Sequence, residues 1–227
     1  MTTWEYLLKR MLWQQLGDVQ GMKILDFGSG EGDTAVHFAQ NNDVTAVEPW
    51  ADMLSRHAEG AYTQLQGSIE LVAAMPDASF DLVICHNVLE YVDDKPAYLT
   101  QLGRVVKPGG CLSLAKHNRA GRVMQMAVLL NDFAMANRLL DGGNGTTSQF
   151  GDIRYYEDGD ALCWLPGFTC EALWGCRTFW DLQQKQECHT DPAWQAQMLA
   201  LEMRVSQLPQ YRDIAFFHHL LLRKGSL

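Results

Sequence analysis

A glycine-rich segment flanked by acidic residues is the part of this sequence best suited to bind a ligand. Residues 26–32 read DFGSGEG and begin at the end of the apolar run KILDF. Glycines at the end of a strand let the backbone turn tightly and approach a ligand closely. Glu48 lies 16 residues after this segment, at the end of a second apolar run. Because a carboxylate there can accept hydrogen bonds from both ribose hydroxyls, the two features predict a nucleoside site.

The acids around the glycines indicate which nucleoside fits. The dinucleotide fingerprint GxGxxG requires a glycine where this chain has Asp33, and both Glu31 and Asp33 would repel a pyrophosphate. Asp26 precedes the first glycine and suits a cationic or amino-bearing ligand. S-adenosylmethionine (SAM) carries an ammonium and a sulfonium and no phosphate. SAM therefore fits this segment better than a nicotinamide dinucleotide does. This disfavours the alternative that the protein is a nicotinamide-dependent oxidoreductase.

The composition indicates a folded chain with one core. The chain has 227 residues, of which 47% are hydrophobic, and a formal net charge of −9. No apolar run approaches the roughly 20 residues that span a bilayer. An acidic chain argues against nonspecific binding to nucleic acids or membranes. The six cysteines include no CxxC pair, which argues against a zinc site. We expect a cytoplasmic protein with reduced thiols, no metal and no membrane partner.

Apolar runs alternate with helical segments as far as residue 117, which is typical of an α/β fold with a mainly parallel sheet. The runs predict strands at residues 23–27, 44–48, 61–66, 80–86 and 111–116. Helical periodicity predicts helices at residues 4–16, 34–40, 51–57 and 97–106. Further along we expect a long helix at 123–140, a polar loop at 141–151 and a helix near 192–206. Residues 167–181 and 214–224 are expected to contain two further strands, CRTFWDL and IAFFHHLLLRK.

Four motifs, LDFGSGEG, AVEPWADML, FDLVICHNVLEYVDD and KPGG, resemble those of class I SAM-dependent methyltransferases over residues 22–116. The resemblance implies a single Rossmann-like domain over residues 1–227, with a mainly parallel seven-stranded sheet and helices on both faces. We expect residues 1–20 to form a helical cap. Residues 118–165 are expected to form a lid-like insertion over the carboxyl ends of the strands, where open α/β sheets bind ligands. The implied cofactor is SAM, with S-adenosylhomocysteine as its product.

The same resemblance implies which residues bind the cofactor. The family often has an Asp-Ala pair where this chain has Ser68 and Ile69, so backbone groups would make that contact. His86 follows the fourth predicted strand and either acts as a general base or lines the cofactor pocket. The implied cofactor-binding residues are Asp26, Gly28, Ser29, Gly30, Glu48, Pro49, Trp50, Met53, Ser68, Ile69 and His86.

A basic stretch without acids favours an anionic acceptor. Between residues 95 and 131 there are no acidic residues and six basic ones: Lys95, Arg104, Lys107, Lys116, Arg119 and Arg122. Lys116, His117 and Arg119 follow the fifth predicted strand and are candidate substrate-binding residues. His117 is also a second candidate for a general base. The alternative interpretation is a solvated basic loop that acids elsewhere in the chain balance.

Segments outside the shared core resemble the bacterial tRNA 5-carboxymethoxyuridine methyltransferases across nearly the whole chain. They are LWQQL, LEY, residues 112–121, GCRTFWDL and residues 199–224. This resemblance implies a carboxylate acceptor on a modified tRNA wobble uridine, bound by Arg177 through two parallel hydrogen bonds. It is incomplete, since that group has a tyrosine where His117 stands and an arginine where Leu8 stands. A small-metabolite acceptor and a noncatalytic SAM-binding module are the alternatives.

Overall fold

Strands and helices alternate along most of the chain. The computed structural model describes residues 3–147 and 151–226. The strands are β1 (Lys23–Phe27), β2 (Asp43–Glu48), β3 (Thr63–Gln66), β4 (Phe80–His86), β5 (Val106–His117), β6 (Gly145–Thr147), β7 (Gly151–Ile153), β8 (Phe168–Cys176) and β9 (Phe217–Lys224). The α-helices are α1 (Thr3–Leu16), α2 (Asp33–Ala39), α3 (Ala51–Leu54), α4 (Ile69–Ala73), α5 (Lys95–Val105), α6 (Arg119–Met124), α7 (Phe133–Leu140), α8 (Asp158–Trp164), α9 (Pro192–Val205) and α10 (Pro209–Arg212).

One sheet has the strand order β3-β2-β1-β4-β5-β9-β8, and β6 pairs separately with β7. Strands β1, β2, β3 and β4 pair in parallel. Parallel sheets are covered on both faces, which agrees with exposures of at most 2% for Ile24, Leu25 and Phe27. The carboxyl ends of β1, β2 and β4 meet at one edge, where Phe27, Glu48 and His86 lie. The prediction of a mainly parallel seven-stranded sheet with helices around it is confirmed.

The predicted continuous helix at residues 123–140 is interrupted. Asn131 has a left-handed backbone with φ of +57°. Asp132 then accepts a hydrogen bond from the backbone N–H of Met135 at 2.9 Å. A side-chain cap of this kind begins a new helix. The segment therefore comprises the end of α6, a π-helical turn at Gln125–Leu129 and the separate helix α7.

A strand forms within residues 167–181 as predicted, but its placement at CRTFWDL is wrong. Strand β8 ends at Cys176, and the next residue, Arg177, has a left-handed backbone with φ of +62°. An extended strand cannot continue through that conformation. Trp180–Leu182 form a short 3₁₀ turn instead, and the backbone N–H groups that follow Arg177 donate to the carboxylate of Glu202.

The chain divides into two compact units. The first unit comprises residues 1–15, 115–155 and 173–219, and the second unit comprises residues 16–114, 156–172 and 220–227. In the first unit, α1 buries the apolar face that its sequence predicts, although the Trp4 side chain lies outside the described residues. The buried cluster consists of Leu7, Leu8, Met11, Leu12, Ala115, Cys176, Trp180, Leu199, Phe216 and Phe217.

The predicted loop at residues 141–151 contains β6 and the beginning of β7, which pair antiparallel. Residues 148–150 of that loop lie outside the described residues. Residues 118–155 of the expected insertion belong to the first unit and its remainder to the second. The cap at residues 1–20 and the lid at residues 118–165 therefore stay predictions.

Within residues 3–147 and 151–226, no helix is long and apolar enough to cross a membrane. The same described residues contain no group of three or more His, Cys, Asp or Glu side chains placed to hold a metal ion. All six cysteines fall inside these ranges, and each is a free thiol.

Candidate active site

The glycine loop after β1 leaves its backbone open to a ligand. Gly28, Gly30 and Gly32 have φ of +76°, +58° and +81°, a region that L side chains rarely adopt. The backbone N–H of Gly28 donates to the carbonyl of Val47 at 2.8 Å, which fixes the loop against β2. At Gly30, the position of a Cβ atom has no other heavy atom within 4 Å. This free space allows a ligand to approach the Gly30 backbone.

Glu48 is held in place by the same loop. Its carboxylate accepts the backbone N–H of Gly30 at 2.9 Å and that of Trp50 at 3.0 Å, one on each oxygen. Each oxygen keeps a second lone-pair site for a further donor. Glu48 is buried, whereas the neighbouring Trp50 is exposed. A ribose diol fits a carboxylate that backbone groups have oriented in this way, and Trp50 offers an apolar face beside it.

The second unit places negative charge beside the glycine loop. Asp26, Glu48 and Glu90 are at most 6% exposed. Burial raises the pKa of the Cys85 thiol well above its usual value, and the charges of Glu90 and Asp26 raise it further. Buried carboxylates favour a cationic ligand and disfavour a phosphate. The ammonium and sulfonium of SAM therefore suit this site, and Glu90 adds an acid that the sequence motifs did not assign.

The remaining predicted cofactor residues differ in their surroundings. Ser29 is buried, Pro49 is exposed and Met53 is half-buried on α3. Ser68 lies immediately before α4, which begins at Ile69, and its hydroxyl is 3.2 Å from the hydroxyl of Tyr98. The Ser68 hydroxyl is thus engaged by Tyr98, and the backbone contact of Ser68 and Ile69 with an adenine stays a prediction.

His86 ends β4 and contacts β5. Its Nε2 atom is 2.7 Å from the hydroxyl of Ser113, which is fully buried. A buried hydroxyl at that distance fixes the orientation of the imidazole ring. The contact favours the interpretation that His86 lines the pocket over the interpretation that it is a general base.

The first unit contains a cavity of about 340 Å³ with convergent charged groups. Two guanidinium groups and one carboxylate line it, together with aromatic and imidazole rings. The lining includes His117, Arg122, Arg177, Trp180, Asp181 and His189. We call this the Arg122–Arg177 cavity. Of the four predicted substrate-binding residues, it brings together His117 and Arg177.

Arg177 and Asp181 form a buried ion pair in the wall of this cavity. The Nε atom of Arg177 donates to Oδ2 of Asp181 at 2.8 Å, and Nη2 donates to Oδ1. The two side chains are only 5% and 6% exposed. The guanidinium also lies 5.0 Å from the ring centroid of Phe216 and 5.1 Å from that of Phe217. Pairing and stacking fix the plane of the guanidinium, which a two-pronged contact requires.

Gln125 connects this pair to a second cation. Its amide donates to Oδ1 of Asp181 at 3.3 Å, and its carbonyl oxygen accepts from Nη1 of Arg122. The Arg122 guanidinium lies 5.6 Å from the ring centroid of Phe216. Arg122 is one of the basic residues that the sequence singled out, whereas the sequence did not identify Asp181 as a candidate site residue. The four-residue spacing from Arg177 to Asp181 was its only local signal.

His117 is a neutral ring in this setting. Burial, Arg177, Arg122 and Lys116 lower its pKa to about 3. Its ring centroid lies 4.5 Å from that of Phe217. Such an imidazole holds no proton charge at neutral pH, so His117 contributes a hydrogen-bonding group and an aromatic face to the cavity rather than a cation.

The other basic residues of the acid-free stretch lie elsewhere. Arg119 donates to the carbonyl oxygens of Leu139 at 3.2 Å and Gly143 at 3.1 Å, so it holds the end of α7. Lys116 is buried and does not line the Arg122–Arg177 cavity. In the second unit, two further basic residues pair with acids: Arg104 with Asp77 and Lys107 with Asp81. The stretch therefore does not form one continuous basic surface.

Comparisons with known proteins agree with this geometry. Residues 25–114 match the family described as Methyltransferase domain. The chain is 28% identical over 241 residues to the tRNA 5-carboxymethoxyuridine methyltransferase of Escherichia coli (strain K12), covering 98% of this chain and 90% of that protein. It is 32% identical over 129 residues to a ubiquinone biosynthesis O-methyltransferase of Klebsiella pneumoniae, covering 54% of this chain and 53% of that protein.

A solved structure shows the same fold. The S-adenosylmethionine dependent methyltransferase from Mesorhizobium loti has a TM-score of 0.59 at 18% identity, over 98% of both chains. The matched residues 25–114 contain the glycine loop and Glu48, which fit SAM on the geometry given above. The cofactor is therefore SAM, the chain is a SAM-dependent methyltransferase, and its residues 25–114 match the methyltransferase domain.

Proposed function

We propose that this enzyme transfers a methyl group from SAM to a carboxylate bound in the Arg122–Arg177 cavity, and that the carboxylate is the carboxymethoxy group of a tRNA wobble uridine. The observation that carries the proposal is the charge of this cavity, where two guanidinium groups face one carboxylate. The name of the Escherichia coli relative, matched over 98% of this chain, supports the choice of acceptor.

In the second unit, the cofactor is held by groups that the chain already orients. Gly28 and Gly30 present backbone to the methionine part, and Asp26 supplies a buried negative charge. Glu48 would accept the two ribose hydroxyls, since backbone N–H groups occupy only one site on each of its oxygens. Trp50 would flank the adenine. When SAM is bound, it supplies an electrophilic methyl carbon on a sulfonium.

The acceptor needs little chemical activation. A carboxylate oxygen is anionic at neutral pH and is a nucleophile without loss of a proton. The protein mainly contributes proximity and orientation, which are effective because two bound reactants lose little further entropy. Arg122 and Arg177 attract and orient the carboxylate, while Asp181 fixes the plane of the Arg177 guanidinium. His117, with its lowered pKa, is not required as a base.

Labelled SAM tests this assignment directly. The enzyme is incubated with radiolabelled SAM and either total tRNA that carries unmethylated 5-carboxymethoxyuridine or a small-metabolite extract. We expect label in tRNA that mild alkali releases, because a methyl ester hydrolyses where an ether or N-methyl group does not. Label found only in metabolites contradicts the tRNA acceptor, and alkali-stable label contradicts the carboxylate acceptor.

A tRNA acceptor places the enzyme in the cytoplasm, which is consistent with its free thiols. The protein is acidic overall, so binding of tRNA requires a local basic surface rather than net charge. A noncatalytic SAM-binding module is distinguished in the same experiment, because it would form no labelled product with either substrate mixture.

A further inference from the structure

The Arg122–Arg177 cavity contains a buried polar atom for which the part of the chain that the structure describes supplies no hydrogen-bond partner. His189 is 8% exposed and lines the cavity. Its Nε2 atom is buried and has no hydrogen-bond partner among the described residues. A buried polar atom without a hydrogen bond costs stability, and such atoms are rare in folded proteins. An atom of this kind in a ligand cavity points to a ligand that completes its hydrogen bonding.

The ring of His189 is fixed, so the direction of Nε2 is fixed as well. The imidazole stacks on the indole of Trp180 with ring centroids 4.3 Å apart and planes at 12°. Trp194 flanks the ring at 5.1 Å, and the amide of Gln195 donates to the His189 carbonyl at 2.7 Å. This packing orients the nitrogen before any ligand arrives.

The neutral form of the ring determines what Nε2 can do. Burial lowers the pKa of His189, while a backbone hydrogen bond to Trp180 and the charge of Asp181 raise it by smaller amounts. A backbone contact raises an imidazole pKa when a ring N–H donates to a carbonyl. In the neutral ring the other nitrogen, Nε2, then carries the lone pair and accepts a hydrogen bond.

On the basis of the proposed function, we infer that His189 is an acceptor-binding residue whose Nε2 takes a hydrogen bond from an N–H or O–H of the methyl acceptor. The same acceptor places its carboxylate at Arg122 and Arg177. The cavity thus selects a ring that carries a carboxylate on a short arm and a separate hydrogen-bond donor. A pyrimidinedione with a carboxymethoxy arm has this chemistry, because its ring imide supplies the N–H.

Binding of two nucleosides tests this inference. The probes are 5-carboxymethoxyuridine and its N3-methyl derivative, which keeps the carboxylate and lacks the imide N–H. Affinities are measured by calorimetry with saturating S-adenosylhomocysteine for the wild type and His189→Phe. The phenyl ring retains the stacking on Trp180 and removes the nitrogen. His57→Phe, at an exposed position of the second unit, is the control.

We expect the wild type and His57→Phe to bind the unmethylated nucleoside about tenfold more tightly than the N3-methyl derivative, a difference of about 1.4 kcal/mol. His189→Phe should bind both probes equally and weakly. If the wild type and His189→Phe show the same ratio of affinities for the two nucleosides, the role of His189 in binding the acceptor is overturned. In wild-type protein with ¹⁵N-labelled histidine, the Nε2 resonance of His189 should move on addition of the unmethylated probe. An unmoved resonance at saturation also overturns the inference, and this measurement does not depend on how the variant folds.

Failure of the inference is distinguishable from failure of the proposed function. If the wild type binds the unmethylated nucleoside and Arg177→Met does not, the assignment of the carboxylate to Arg177 is supported, independently of the result for His189→Phe. If the wild type binds neither nucleoside and forms no alkali-labile product on tRNA, the proposed acceptor is wrong, and the inference is overturned with it.

Discussion

The carboxylate of Glu202 accepts the backbone N–H of Thr178 at 2.7 Å, which ties α9 to the residue that follows Arg177. The same carboxylate accepts the N–H groups of Phe179 at 2.8 Å and Trp180 at 3.1 Å. Glu202 is fully buried. Burial raises its pKa, and the three backbone donors act in the opposite direction. These contacts, which span 22 to 24 residues of sequence, support the left-handed backbone of Arg177.

Replacing this carboxylate is expected to destabilise the fold. Glu202→Gln puts an amide NH₂ against backbone donors, so at least one buried N–H loses its acceptor. We expect the free energy of unfolding in urea to fall by about 1–3 kcal/mol. Glu187→Gln, at an exposed position in the same unit, should leave it within about 0.5 kcal/mol. Equal stability of Glu202→Gln and wild type would contradict a supporting role for this contact.

The neutral state of His117 predicts a pH dependence of stability. Its pKa is about 3 in the folded protein, against 6.5 in an ordinary environment. Between these values the unfolded chain binds a proton that the folded chain does not, so acid favours unfolding. The contribution is fully present above pH 6.5 and decreases by at most about 1.4 kcal/mol per pH unit as the pH falls towards 3.

The measurement compares wild type with His117→Phe in urea at pH 7.5, 6.5 and 5.5. The wild type should lose more stability than the variant between pH 6.5 and 5.5, because Phe cannot titrate. His57→Phe should follow the wild-type curve. Parallel curves for wild type and His117→Phe would show that His117 is not held neutral.

A comparison of two glycines distinguishes a loss of folding stability caused by backbone strain from a loss of SAM affinity at the cofactor site. Gly17 and Gly30 have φ of +74° and +58°, and a Cβ atom would meet nothing within 4 Å at either position. Alanine should therefore destabilise the fold at both by a similar amount, about 1–2 kcal/mol. Only Gly30→Ala should weaken SAM binding, by at least tenfold in calorimetric titration, since its methyl group occupies the ligand's space. Equal SAM affinities of the two variants would remove Gly30 from the site.

Arg177→Met is expected to lower methyl transfer to tRNA at least tenfold, which corresponds to about 1.4 kcal/mol of transition-state stabilisation. SAM affinity should stay within a factor of about two. Arg177→Lys should restore little activity, because an ammonium lacks the planar two-pronged geometry. The single variant leaves Asp181 buried without its cation, so its folding is compared with that of Arg177→Met/Asp181→Asn. Wild-type transfer rates in a folded variant would contradict the role of Arg177.

Local patterns predicted the second unit better than the first. The mostly apolar runs of β1 and β4 gave correct strand bounds, and Glu48 followed from its place at the end of β2. Such features depend on neighbours within a few residues. The prediction at Arg177 failed because a carboxylate more than 20 residues away sets the backbone there. His189 could not be found as a candidate, since its importance depends on its burial in a cavity.

The ion pair between Arg177 and Asp181 has a consequence for release of the methylated product. Among the described residues that line the Arg122–Arg177 cavity, two guanidinium groups outnumber one carboxylate, which is a surplus of one positive group. A monoanionic carboxylate cancels that surplus on entry, whereas a dianionic phosphate ester exceeds it. Methylation converts the bound carboxylate to an uncharged ester and restores the surplus of positive charge in the cavity. The product loses the attraction that admitted the substrate, so the reaction itself promotes release of the finished ester.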